Sequence, residues 1–159
     1  MTRITVIGGT GYTGANIVAE AAARGHEVTS ISRSIPATPV DGVTYLQGDV
    51  TSAETAAAAI AAGDVVISAL SPRGPMAGQV EVADLALADQ ATAAGVLLFV
   101  VGGFGSLRPA EGAPRIAEGA EFPEAYKPEA EEMARVLTTF EGGKPAGLDW
   151  LYISPSAGY

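Results

Sequence analysis

Residues 5–34 read TVIGGTGYTGANIVAEAAARGHEVTSISRS, and the order of residue types in this stretch decides the fold. The apolar run Ile4–Ile7 predicts a short strand. A glycine cluster follows, after which Gly14, Ile17, Val18 and Ala21 recur on one helical face and Gly25 offers a stop. Val28–Ser32 then begins a second strand. Strand, tight turn, helix and strand in so short a span make a βαβ unit, whose two strands run parallel.

Within GGTGYTG, Gly8, Gly11 and Gly14 recur every third residue between the strand and the helix. Glycine there lets the chain turn tightly, bring bare backbone up to a pyrophosphate and pack helix against strand. The N-terminus of the helix adds a partial positive charge, which suits an anion. A dinucleotide at this corner is therefore expected. At the end of the second strand an acidic side chain would hold the free 2′-hydroxyl of NAD, but the chain has Ser32, Arg33 and Ser34 there. A guanidinium and two small hydroxyls suit a 2′-phosphate, so NADPH is expected in preference to NADH.

The rest of the chain continues the alternation. RSIPATPVDG leads to a strand over Val43–Leu46, and Thr51 and Glu54 stand at capping-box spacing ahead of an alanine-rich helix that Gly63 would end. DVVISAL is a fourth strand and SPRGPMAG a loop. Val80, Ala83, Leu87, Ala91 and Ala94 form a helical stripe, and VLLFVV, apolar on both faces, reads as an inner parallel strand closed by Gly102 and Gly103. Residues 103–123 are crowded with glycine and proline, as a binding loop or lid would be. A last helix is expected from about Pro128 to Phe140, with Ala130, Met133, Ala134 and Leu137 inward, followed by the strand DWLYIS. The whole predicts one α/β domain over 1–159, a doubly wound Rossmann sheet in strand order 3-2-1-4-5-6 with its ligand at the carboxyl ends of the strands.

Composition narrows the partners. The chain has 159 residues, 9 Lys and Arg against 18 Asp and Glu, and a net charge of −9. That balance opposes nucleic acid and anionic membrane. No apolar run approaches membrane-spanning length, and no cysteine is present, which excludes disulfides and thiolate metal sites. The N-terminus enters a strand pattern at once without a signal-peptide region, so a cytoplasmic location is expected. His26 is the one histidine and forms no metal set or triad. Glu118, Glu121, Glu124, Glu129, Glu131 and Glu132 read as a solvated cluster rather than metal ligands.

The sequence resembles the short-chain dehydrogenase/reductase superfamily, in its atypical NmrA-like, NAD(P)H-binding branch. TVIGGTGYTG resembles the phosphate loop of that branch, HEVTSISRS its second strand, QGDVTSAET its adenine-side turn and VVISAL its fourth strand. The resemblance implies that Gly8, Thr10, Gly11, Tyr12, Thr13 and Gly14 hold the diphosphate, with Ser32 and Arg33 at the 2′-position. It implies also that Asp49 and Val50 border the adenine, that Ala69, Leu70 and Ser71 lie along the ribose and nicotinamide, and that Gly102 and Gly103 close the nicotinamide end. Ser68 or Ser106 would stand near a substrate.

Two departures from that family stand out. Its reductases commonly use a Tyr-x-x-x-Lys pair, yet the residues four positions before Lys127 and Lys144 are Pro123 and Phe140. YKPEAEEMARVL resembles the helix that begins at the family lysine, which implies Lys127 as a ribose ligand and catalytic residue, with the adjacent Tyr126 as a second catalytic candidate that approaches the substrate. Second, the chain ends at SPSAGY, where the family continues into its substrate region, so that part is short or missing. The resemblance implies an NADPH-dependent oxidoreductase acting on a flavin-, quinone- or carbonyl-like acceptor. A non-enzymatic NADP-binding sensor and an NAD-dependent epimerase or dehydratase are its alternatives. The expected partners are the dinucleotide and a small-molecule acceptor, with a homodimer as the assembly to test.

Overall fold

The computed structural model describes residues 1–143 and 145–158. Six parallel strands form one sheet in the order β3-β2-β1-β4-β5-β6, as the alternation predicts. They are β1 (Arg3–Ile7), β2 (Glu27–Ser32), β3 (Thr44–Gln47), β4 (Val65–Ser68), β5 (Leu97–Val101) and β6 (Trp150–Ile153). Helices α1 (Tyr12–Ala23), α2 (Ala53–Ala62), α3 (Val80–Ala94) and α4 (Lys127–Glu141) connect them.

Successive residues of a strand face opposite sides, and β1 shows it: Val6 joins the core under α1, while Ile7 joins the one under the other helices. The α1 face is small, built on Val6, Val18, Ala21 and Val28. Residues from α2, α3 and α4 share the larger cluster with Val66, Leu98 and Val100, and the Phe140 ring packs 5.2 Å from that of Trp150. On β6, Leu151 and Ile153 are exposed.

Several local readings change in three dimensions. The N-cap of α2 is Ser52, whose hydroxyl accepts the Thr55 N–H at 3.2 Å. Thr51, one residue before the cap, instead donates its N–H and its hydroxyl to Asp49 Oδ1, at 3.0 and 2.8 Å. Gly63 does follow α2, but in an extended conformation. Its missing side chain is instead required by packing, since a Cβ would stand 2.8 Å from Thr5 Oγ1 and from Val65 O. On α3, Ala94 is exposed and the buried face is completed by Asp84 and Ala88. On α4, Val136 and Phe140 are buried where Ala130 and Leu137 are only partly so.

The acidic cluster is not uniformly solvated. Glu132 is 4% exposed, and its carboxylate accepts the backbone N–H groups of Gly78, Val80 and Glu81 at 2.7, 2.7 and 3.1 Å. Val80 and Glu81 are donors that the first turn of α3 leaves without an intrahelical acceptor, and Gly78 lies in the loop just before it. A side chain of α4 thus caps α3 and fixes the loop before it, which no local pattern could disclose. No group of acidic or histidine side chains among the described residues is arranged to hold a metal.

A cleft at the carboxyl edge of the sheet

The glycine cluster is assembled by three different demands. Gly8 adopts φ +77°, and a Cβ there would stand 2.7 Å from Ala69 O, so the turn at the end of β1 accepts no side chain. At Gly14 a Cβ would overlap the Gly8 carbonyl, which lets α1 start against β1. At Gly11 the nearest atom to a Cβ, Gly8 O, is 3.3 Å away, and the residue lies on the open side. Gly9, which the every-third-residue pattern passes over, is also closely packed, since a Cβ would overlap Ser30 Oγ and stand 3.1 Å from Val18 Cγ2, so that the buried Ser30 hydroxyl would have to turn away. Helix α1 begins at Tyr12 without a side-chain cap and without an acidic residue in its first turn.

Neighbouring strand ends are stitched to this corner. Gly8 N donates to Ile31 O and Ala69 N to Ile7 O, both at 2.9 Å. Thr10 N donates to Ser32 Oγ at 3.2 Å, Gly48 N to Ser32 O at 3.0 Å and Gln47 Nε2 to Arg33 O at 2.9 Å. Ser32 therefore spends its acceptor on the glycine loop, while Arg33 is exposed. Asp49 is held ionised below the usual carboxylate range, chiefly by the two hydrogen bonds from Thr51, with Arg33 adding a smaller attraction.

These elements border one cleft of about 1410 Å³ along the carboxyl ends of β1, β2, β4 and β5. That exceeds the roughly 300–1,000 Å³ of a usual small-molecule pocket and leaves room for a dinucleotide with a second ligand. Of the residues expected at the site, Gly8, Thr10, Gly11, Tyr12, Thr13, Ser32, Arg33, Asp49, Val50, Ala69, Leu70, Ser71, Gly102, Gly103 and Tyr126 all line it. Gly14 lies behind the loop. Lys127 is not among the lining residues; its Nζ sits 3.3 Å from Glu124 Oε1. Lys144 falls outside the described residues.

The two serines expected near a substrate are committed elsewhere. Ser68 is buried and bonds Asp84 Oδ1 at 2.6 Å. Ser106 is 2% exposed and pairs with the Tyr152 hydroxyl at 3.0 Å, which itself donates to Met133 O at 2.9 Å. The Tyr152 ring occupies the space a side chain on Gly102 would need, and burial pushes its phenol up to about 12. Burial likewise raises the Asp84 carboxyl to about 7, with Glu132 adding repulsion and the Ser68 bond opposing.

Residues 103–123 wall the far half of the cleft. Phe104, Ile116 and Phe122 from this segment line it together with Met76 and Met133. The segment is fastened rather than loose. Arg115, 3% exposed, donates to Ser106 O and to Glu141 Oε2, each at 2.6 Å, and to Thr138 Oγ1 at 3.3 Å.

Residues 8–158 match the model of a family described as NAD(P)H-binding. Among solved structures, a candidate exported protein of Burkholderia pseudomallei is 38% identical, with a TM-score of 0.83 over 99% of this chain and 73% of its own. A candidate epimerase of Bacteroides thetaiotaomicron is 30% identical, with a TM-score of 0.82 over 97% and 70%. A candidate NADH-flavin reductase of Streptococcus pneumoniae is 29% identical, with a TM-score of 0.84 over 98% and 72%.

Proposed function

The chain belongs to the NAD(P)H-binding family, an atypical branch of the short-chain dehydrogenases and reductases, and we propose that it is an NADPH-dependent oxidoreductase acting on a flavin- or quinone-like acceptor. One observation carries the proposal. The glycine loop and the start of α1 open on a cleft with an arginine and no carboxylate at the end of β2, and with an apolar chamber beyond the ends of β4 and β5. The cradle fits the cofactor, since the space in front of Gly11 is open to backbone approach and the helix terminus favours the diphosphate. Bound there, NADPH supplies the hydride.

The protein's own residues do the rest. Gly8, Thr10, Gly11, Tyr12 and Thr13 hold the diphosphate, while Gly14 sets the start of α1. Ser32 and Arg33 select the 2′-phosphate, Asp49 and Val50 flank the adenine, and Ala69, Leu70, Ser71, Gly102 and Gly103 seat the nicotinamide ribose and ring. Tyr126, 57% exposed, flanks the acceptor. Lys127 stands just outside the cleft lining, one residue beyond Tyr126, and serves as the ribose-side cation by exchanging its exposed partner Glu124 for the ribose. A flavin or quinone fits a site without a Tyr-x-x-x-Lys relay because its reduced ring takes protons from water, and the enzyme contributes placement. A cytoplasmic homodimer belongs to the same proposal; among the described residues no helix is long and apolar enough to cross a membrane.

The same missing relay, with Ser68 and Ser106 buried away from the cleft, favours a second reading, a non-catalytic NADP-binding sensor. Calorimetric titration with NADPH and NADH, followed by NADPH oxidation with FMN, quinones and aldehydes, separates the two. Turnover of an aromatic acceptor supports the reductase. Tight NADPH binding without turnover of any acceptor supports the sensor. Arg33→Ala should weaken NADPH about tenfold or more while changing NADH by about twofold or less; equal weakening would remove Arg33 from the 2′-phosphate.

A further inference from the structure

The described lining of the cleft carries two cations, Arg33 and Arg73, beyond the ends of different strands. Arg33 follows β2. Arg73 stands in the loop between β4 and α3, facing the apolar chamber formed by residues 103–123 and α4. Its surroundings are unusual. Arg73 Nε donates to Glu129 Oε2 at 2.7 Å, and this pair joins the loop on one side of the cleft to α4 on the other, both residues lining it. The pair engages only the Nε edge of the guanidinium. The two terminal Nη groups make no hydrogen bond among the described residues, and the side chain is 69% exposed.

An arginine held at Nε by a carboxylate is oriented, and its Nη1 and Nη2 form a planar fork suited to two oxygens of a phosphate or carboxylate. The other charged groups of the chamber, Glu121 and Glu129, are acidic. Among the described residues lining this half of the cleft, an anionic ligand therefore has one cation to meet, Arg73. We infer that Arg73, positioned by Glu129, is a specificity residue that recognises an anionic group on an aromatic acceptor, so that acceptors bearing a phosphate or carboxylate are selected over neutral ones. This rests on the reductase reading for the word acceptor, but the anion fork exists whether or not turnover follows. The cofactor diphosphate is the alternative source of the anion, and it predicts a different result.

FMN and riboflavin share one ring system and differ by a phosphate, so their comparison isolates the fork. For the intact chain, the ratio of kcat/KM for FMN to that for riboflavin in NADPH oxidation is expected at about tenfold or more, falling to about one in Arg73→Gln. Arg73→Lys, which keeps the charge and loses the fork, should lie between. NADPH affinity by calorimetry should stay within about twofold in both variants. Quenching of flavin fluorescence on the NADP-saturated protein reads the same preference without turnover, so a protein that reduces nothing can still show or lack the fork. An unchanged FMN preference in Arg73→Gln overturns the inference. So does a tenfold loss of NADPH affinity with the flavin ratio intact, which would give Arg73 to the cofactor.

Discussion

A single missing Cβ does different work at each glycine of the loop, and the difference is measurable. At Gly11 an added methyl stands 3.3 Å from Gly8 O, a tight contact the loop relieves by a few tenths of an ångström, so Gly11→Ala should lower Tm by a few degrees at most, about 1 kcal/mol, yet fill the space a diphosphate needs. A loss of NADPH affinity of about tenfold or more is expected by calorimetry. At Gly14 the methyl overlaps the Gly8 carbonyl, and the resulting strain, about 3 kcal/mol, outweighs a gain in helix propensity of about 1 kcal/mol. Gly14→Ala should lower both stability and binding. Asp84 makes a second prediction of this kind. Its carboxyl is protonated up to about pH 7 in the fold, against about 3.9 in the unfolded chain. The unfolded chain therefore releases a proton as pH rises from about 4 while the folded protein keeps it, and stability falls until about pH 7, where both forms are ionised. Thermal melts should show Asp84→Asn gaining on the native protein across that window, by at least about 1 kcal/mol; parallel curves would mean that Asp84 is already ionised in the fold.

Elements here are positioned by side chains from distant parts of the chain. Glu132 of α4 caps α3 across a separation of 52 residues, and Arg115 ties the long segment after β5 to the end of α4. The glycine and proline content of 103–123 reads as a lid, yet a buried guanidinium bonded to a backbone carbonyl keeps part of it still. Arg115→Met should cost about 2 kcal/mol, less than a fully buried pair because Glu141 remains half exposed to water. Urea unfolding measures that loss, and limited proteolysis within 103–123 should accelerate roughly tenfold. An unaltered cleavage rate would show that the two 3-10 turns of the segment, Phe104–Ser106 and Ile116–Glu118, hold without the arginine.

At the scale of the molecule, the cleft is bordered by strand ends from both halves of the sheet, so a ligand seated along it contacts β1, β2, β4 and β5 together. NADPH at about a hundred times its Kd should stabilise the fold by about 2.7 kcal/mol, raising Tm by roughly 5–10 °C for a chain of this size; a thermal-shift series checks it, and a flat response would separate the cleft from the dinucleotide. The sequence alone determined the strand order and the α1 face, because these follow from local periodicity and from the handedness of the crossovers. Gly8, Gly11 and Gly14 were legible for the same reason, while the family resemblance implied the part of the cleft lining at Asp49, Val50, Ala69, Leu70, Ser71, Gly102 and Gly103. Only the tertiary structure decided that Ser68 and Ser106 are buried outside the cleft lining, that Glu132 is a cap, and that Gly9 packs on Ser30. It alone set Arg73 against Glu129. Each of those facts joins residues far apart in sequence through the packing of one element on another, and burial, which fixes whether a polar side chain serves the fold or a ligand, is a property of that packing and not of the residue.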